Sequence, residues 1–217
     1  MHIAVWSELH CPWALLTVDR LRQARERHGL NVVFVPRAWP LEWVNHHGTP
    51  RHIVAAETAA LGTHEPELFL RFTGSSWPST FLPAFELVAA TRRTHGLRSA
   101  EDVDYALRLA FFRHGVDVSI QDGLERALEL AKDYGAQLNT ETVLTEWLRG
   151  NPRSDVVDDY VESGLLPIQG SPQVFWPDGT TTHNPGMTDH KWIGDHVELR
   201  STDPGAVERL LLERCGD

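Results

Sequence analysis

Residues Cys11-Pro12-Trp13-Ala14 place a thiol between a short apolar run, Ile3-Ala4-Val5-Trp6, and an amphipathic stretch from Trp13 to His28. The run reads as a strand and the stretch as a helix. A cysteine at that boundary faces the unpaired N–H groups of a helix start and the positive end of its dipole, and both favour a thiolate. The thiolate is the nucleophile, so the pattern points to a reactive sulfur. A redox dithiol at such a turn would read Cys-x-x-Cys, but the fourth position is Ala14. The attacking thiol is present and a neighbouring resolving thiol is not. A mixed disulfide formed on Cys11 would have to be resolved by an external thiol.

The surrounding residues divide into helpers and bystanders. His10 adjoins Cys11 in sequence, and an imidazolium near the sulfur would stabilise the thiolate; a solvent-exposed ring is the competing expectation. Pro12 at the first helical turn removes no useful hydrogen bond. Trp13 reads as packing first and as a cleft wall second. Glu8 reads as an exposed strand-end carboxylate, with a buried proton carrier as the alternative. Trp39-Pro40-Leu41-Glu42 follows a strand and reads as a hydrophobic plug or as cleft lining. The only other thiol, Cys215, is expected beyond the final helix, unconnected to Cys11.

The chain has 12 histidines, with His46, His47 and His52 in one cluster and His183, His190 and His196 in another. None shows the i, i+4 helical spacing or cysteine support of a zinc signature, so no metal is expected. His183-Asn184-Pro185-Gly186 reads as a turn.

Composition sets outer bounds. With 217 residues and 41% hydrophobic content, the chain can build one large domain or a core domain with an insertion. A formal net charge of −10 argues against nucleic acid and anionic membranes as partners. Two cysteines make no disulfide framework. The first apolar run is too short for a secretory signal, and no run approaches the roughly 18 apolar residues of a membrane span. The expectation is a protein of the reducing cytoplasm.

The elements that must position Cys11 follow from patterning. Val32-Val33-Phe34-Val35 reads as a second strand, buried on both faces, with Gly29 ending the helix before it. The opening is strand–helix–strand, hence a parallel pair. From Pro50 to Gly164 the pattern is helical, with starts at Thr49-Pro50, at Ser79 or Thr80, at a capping-box-like Ser99-Ala100-Glu101-Asp102, at Gln121, at Thr140 and at Asn151-Pro152. Gln173-Val174-Phe175-Trp176 and Thr180-Thr181-Thr182-His183 then read as a hairpin about Pro177-Asp178-Gly179. Asp203-Pro204 starts a closing helix. The predicted class is α/β: a thioredoxin-like fold over residues 1–49 and 165–217, with an all-helical subdomain inserted over 50–164.

Cys11-Pro12-Trp13 after an N-terminal strand, a helical insertion, and Gly170-Ser171-Pro172 before a late strand together resemble the DsbA-like thioredoxin family. The likeness is to its soluble bacterial FrnE-type branch of predicted dithiol–disulfide isomerases, related to 2-hydroxychromene-2-carboxylate isomerases and kappa-class glutathione transferases. It spans the chain in element order, on three short motifs, with the Gly-x-Pro segment about 160 residues after the cysteine. The resemblance implies that Pro172 is cis and lies against Cys11, and that the Ser171 backbone pairs with a bound thiol or peptide. It implies thiol–disulfide exchange on a protein or small-molecule substrate. No bound cofactor is expected; the co-substrate would be a low-molecular-weight thiol. Homodimers are common in the superfamily. Ala14 departs from the family pattern and keeps two alternatives open: a kappa-like thiol transferase or isomerase, and a binding protein without turnover. Exchange calls for an acidic, exposed Cys11.

Overall fold

Strand β1 (His2–Ser7) is an inner strand of a four-stranded mixed sheet of order β2-β1-β3-β4. The computed structural model describes residues 1–70, 72 and 77–215; residues 71, 73–76, 216 and 217, which fall within the expected insertion and closing segment, lie outside the described residues. β1 pairs in parallel with β2 (Val33–Ala38), with Ile3 opposite Phe34. On its other side it pairs antiparallel with β3 (Gln173–Phe175), Val5 opposite Val174. β4 (Thr181–His183) closes the sheet antiparallel to β3. Helix α1 (Pro12–His28) connects the parallel pair. Pro12 opens it with a preset φ, and Gly29 ends it at φ 61°, a left-handed conformation that glycine adopts without strain.

β2 corrects one expectation. It is an edge strand and only Phe34 and Ala38 are buried along it, so it is not buried on both faces. A β-branched run marks strand propensity, but neighbouring strands decide exposure.

Between β2 and β3 the described residues form α2 (Leu41–Val44), α3 (Arg51–Gly62), a 3-10 turn at Pro66–Leu68, α4 (Leu82–Phe112), α5 (Gln121–Asp133), α6 (Thr140–Leu148) and α7 (Pro152–Ser163). α4 joins two helices that the sequence separates. It bends at Gly96, whose φ of 80° and ψ of −177° leave the helical region, and continues through Ser99. The capping box does not form: the Ser99 hydroxyl donates to the Gln137 carbonyl at 3.2 Å, and Asp102, the acid that would close the box, pairs with Arg22 at 2.8 Å. Between them, Glu101 joins three elements. Its buried carboxylate accepts from Arg22 Nη1 at 2.8 Å, Arg25 Nη1 at 2.5 Å and the Phe34 amide at 2.9 Å. One glutamate thus ties α4 to α1 and β2, and the apolar core runs unbroken through all three.

Residues after β4 hold an element that patterning missed. β5 (Asp189–Ile193) and β6 (His196–Ser201) form a separate antiparallel hairpin, which packs against α3. Only Val197 in it is buried. α8 (Ala206–Cys215) packs on α1. Cys215 is the last residue of that helix and partly buried against the core, not beyond it as expected. No helix among the described residues is long and apolar enough to cross a membrane.

Candidate active site

Cys11 is the N-cap of α1, with extended φ and ψ of −86° and 115°. Its carbonyl accepts from the Ala14 and Leu15 amides, both at 3.1 Å, which fixes the first turn around the thiol. Across the sheet the Ser171–Pro172 peptide is cis, and its loop closes on the same point. The Cys11 thiol lies 3.3 Å from the Ser171 carbonyl oxygen, which accepts from it. The Ser171 hydroxyl accepts from the Glu8 amide at 2.9 Å, leaving its own proton free to turn towards the sulfur. Ser171 thus meets Cys11 directly, cis-Pro172 follows it in the chain, and Pro12 and Trp13 form the first turn of α1 after the cysteine.

The thiol is not exposed. Cys11 retains 7% of its surface, and its pKa is pushed up from 9.0 to about 12. Burial is the main cause and the Glu57 carboxylate the second; the Ser171 side chain, the Ala14 N–H and the Arg108 charge work against them. The dipole argument names real contributions, but desolvation exceeds them. The expected acidic, exposed thiolate is therefore corrected to a buried, neutral thiol.

Glu57 is a residue that patterning missed. It lies mid-helix on α3, half-buried, and faces the Trp13 indole N–H. Burial raises its pKa above the usual carboxylate value, opposed by that indole and by the charge of His10. Glu57 acts on the thiol through its charge, while the thiol's own hydrogen bond goes to the Ser171 carbonyl. Nothing in the sequence Ala55-Ala56-Glu57-Thr58 signals it.

Arg108 was also missed, although a signal existed. It interrupts the apolar run Ala106-Leu107-Arg108-Leu109-Ala110, and a charge there must have buried partners. It is 1% exposed, pairs with Asp104 at 2.9 Å, and donates to the Glu8 carbonyl at 2.8 Å and the Ser7 hydroxyl at 2.7 Å.

Glu8 is fully buried, which corrects its reading as an exposed strand end. Its carboxylate accepts from the Leu41 amide at 2.7 Å and the His10 amide at 3.3 Å, and its Oε1 lies 2.9 Å from His10 Nδ1. Burial opposes its charge, but His10 and these donors outweigh burial and hold its pKa below the ordinary value. His10 is likewise buried rather than exposed. Its ring stacks on Phe81 at 4.1 Å, meets Trp77 edge-on at 5.9 Å, and makes no aligned hydrogen bond through either nitrogen. The charges that dominate at the sulfur are those of Glu57 and Arg108, while His10 acts on the two glutamates. Trp13, 4% exposed, stacks on His190 of β5 at 4.6 Å. Of Trp39-Pro40-Leu41-Glu42, Pro40 is buried and the other three are partly buried, and Leu41–Val44 forms a short helix. Glu42 accepts from the Thr80 hydroxyl at 2.8 Å and the Phe81 amide at 3.0 Å. Among the described residues no group of three or more His, Cys, Asp or Glu side chains is arranged to hold a metal ion.

No protein-family model and no curated protein matches the chain by sequence. Solved structures do match it by shape. A probable DsbA oxidoreductase from Streptomyces coelicolor superposes with a TM-score of 0.60 at 18% identity, over 100% of this chain and 91% of that one. The chain has the DsbA-like thioredoxin fold. The cytosolic disulfide reductase DsbM from Pseudomonas aeruginosa, solved with GSH, matches with a TM-score of 0.52 at 18% identity, over 84% of this chain and 90% of that one. A 2-hydroxychromene-2-carboxylate isomerase matches with a TM-score of 0.57 at 11% identity, over 98% and 92%. The DsbA-like fold therefore spans both the disulfide and the isomerase branches at identities that speak for fold alone. Within it, this chain differs from a dithiol site by Ala14, fully buried where a second thiol would stand.

Proposed function

We propose that this DsbA-like chain is a single-cysteine thiol–disulfide oxidoreductase or isomerase, with Cys11 as nucleophile and a low-molecular-weight thiol as resolving partner. The observation that carries the reading is the Cys11 thiol at a helix start, 3.3 Å from the carbonyl that precedes cis-Pro172. That arrangement sets a sulfur beside a backbone edge, which a disulfide reaches once the buried thiol is uncovered. In the proposed step the Cys11 proton passes to the Glu57 carboxylate. The sulfur then attacks one sulfur of the substrate; a new S–S bond forms, the substrate S–S bond breaks, and the departing thiolate takes up a proton. The Ser171 hydroxyl and the Ala14 N–H stabilise charge on Sγ during the transfer. An external thiol then attacks the mixed disulfide and returns Cys11 as a thiol. Two external thiols thus supply the two electrons when a substrate disulfide is reduced; in isomerisation a substrate thiol resolves the adduct and no net electrons move. In this reading His10 acts by holding the Glu8 carboxylate, 2.9 Å from its Nδ1, rather than at the sulfur. Such chemistry needs a supply of free thiol and fits the reducing cytoplasm.

One observation favours a second reading. A thiol 7% exposed with a pKa near 12 is neutral and shielded at rest. A kappa-like transferase or isomerase that uses the thiol of its bound co-substrate, or a binding protein without turnover, needs no more than that.

Mass spectrometry of the Cys215→Ser chain after exposure to oxidised glutathione separates the readings. Exchange predicts one adduct on Cys11, removed by reduced glutathione. An adduct that forms only on the denatured chain overturns exchange and leaves small-thiol binding.

A further inference from the structure

The turn His183-Asn184-Pro185-Gly186 has no part in the chemistry above, yet its first residue reaches the thiol site from behind. His183 ends β4 and is the register partner of Gln173, which follows Pro172 in the chain. The Pro172 carbonyl oxygen accepts twice from this turn, from His183 Nδ1 at 3.0 Å and from the Asn184 amide at 3.2 Å. A carbonyl can only accept, so Nδ1 carries the ring proton. The other nitrogen, Nε2, lies 3.3 Å from Asn184 Nδ2, which can only donate. A neutral ring protonated on Nδ1 presents Nε2 to that side-chain amide. Burial, together with the nearby His190, keeps the ring pKa below its ordinary value despite the Pro172 and Gly170 carbonyls, consistent with that state.

The ring also rests on Gly170. A Cβ placed on Gly170 would come 2.6 Å from His183 Cε1, far inside van der Waals contact. Gly170, Ser171 and Pro172 are thus held on one side by the ring, while on the other Ser171 meets Glu8 and Cys11.

We propose that His183 is the positioning residue of this site: by clamping the Pro172 carbonyl and covering Gly170, it holds the Ser171 backbone at the distance from Cys11 that a disulfide substrate needs. This inference rests on the exchange reading for its substrate, but its geometry can be tested without turnover. His183 touches neither substrate nor sulfur and acts through Ser171.

The test compares two disulfides in the Cys215→Ser background. Oxidised glutathione carries a peptide backbone that can pair with Ser171; dipyridyl disulfide does not. His183→Phe keeps a ring but loses the donor. It is expected to slow Cys11 exchange with oxidised glutathione about five- to tenfold, the worth of one lost hydrogen bond, and exchange with dipyridyl disulfide less than about twofold on that same scale. His183→Asn, whose side-chain amide can donate to the Pro172 carbonyl, is expected to recover most of the loss. Gly170→Ala is expected to slow oxidised glutathione similarly when the ring is present and not further in a His183→Ala background. Equal slowing of both disulfides, or a Gly170→Ala effect independent of the ring, overturns the inference. If the parent chain reacts with neither disulfide, the exchange reading fails and the amide NMR signals of Ser171 and Cys11 decide. Signals displaced in His183→Phe and restored in His183→Asn uphold the clamp; unmoved signals overturn it.

Discussion

Arg108 donates to the Glu8 carbonyl oxygen at 2.8 Å, although the two residues are 100 positions apart. The bond joins α4, deep in the helical segment, to the loop three residues before Cys11. Glu57 reaches the same loop from α3, facing Trp13 and the thiol. The helices between β2 and β3 are thus part of the site. They set its charge, bury its sulfur and fix the strand end from which the cysteine departs.

Arg108→Leu is expected to destabilise the chain by about 3–5 kcal/mol, because it strands Asp104 as an unpaired buried charge and removes the donor to Ser7 and Glu8. Adding Asp104→Leu should restore a substantial part, since no lone charge then remains. Urea unfolding with an unchanged slope measures both. A single variant as stable as the parent would show that the Arg108 contacts contribute little.

Glu57→Gln separates the two effects of that carboxylate. Removing the negative charge beside Cys11 should lower the thiol pKa from about 12, read from thiolate absorbance. Exchange should nonetheless slow by about 100-fold or more, the usual contribution of a positioned base. Faster exchange in the variant would mean that Glu57 only represses the thiol.

The sequence makes the framework legible because its signals are local. Pro12 and Gly29 mark the ends of α1, and the alternation around Pro177-Asp178-Gly179 marks the β3–β4 hairpin. The reactive position and the cis-Pro loop carry short motifs that survive without tertiary information. The rest depends on partners distant in the chain. Asp102 looks like a capping-box acid and instead pairs with Arg22, while its neighbour Glu101 joins two arginines and a strand amide. Glu8 looks like a surface carboxylate because its donors, Leu41 and His10, cannot be seen from its strand. Glu57 is silent in an alanine-rich helix. Cys11 illustrates the limit: its backbone position predicts acidity, but its pKa follows the volume of protein packed over it.

The buried thiol makes stability depend on alkaline pH. The folded Cys11 pKa, about 12, lies above its ordinary 9.0, so the contribution is fully present below pH 9 and is lost as pH rises towards the folded value. Compared with Cys11→Ala in the Cys215→Ser background, the parent should lose about 1.4 kcal/mol per pH unit within that window. Subtracting the two unfolding curves cancels other groups such as Tyr105, whose pKa burial and Asp19 also raise. A constant difference between pH 8 and pH 11 would mean that Cys11 ionises as freely folded as unfolded, contrary to its burial.

Ala14→Cys asks whether the site retains the geometry of a dithiol. The residue is fully buried, three positions along α1 from the N-cap. One helical turn separates the two Cα atoms by about 5–6 Å, inside the usual range for a disulfide. The added sulfur should cost about 1–3 kcal/mol by overpacking while both thiols are reduced. On mild oxidation the Cys215→Ser form of this variant should lose two titratable thiols without dimerising. Its thiols should also become able to oxidise a peptide dithiol, which the parent cannot do with one sulfur. If both thiols persist under oxidation, packing around Ala14 has closed off the second position, and external thiols are the only resolving route the fold allows.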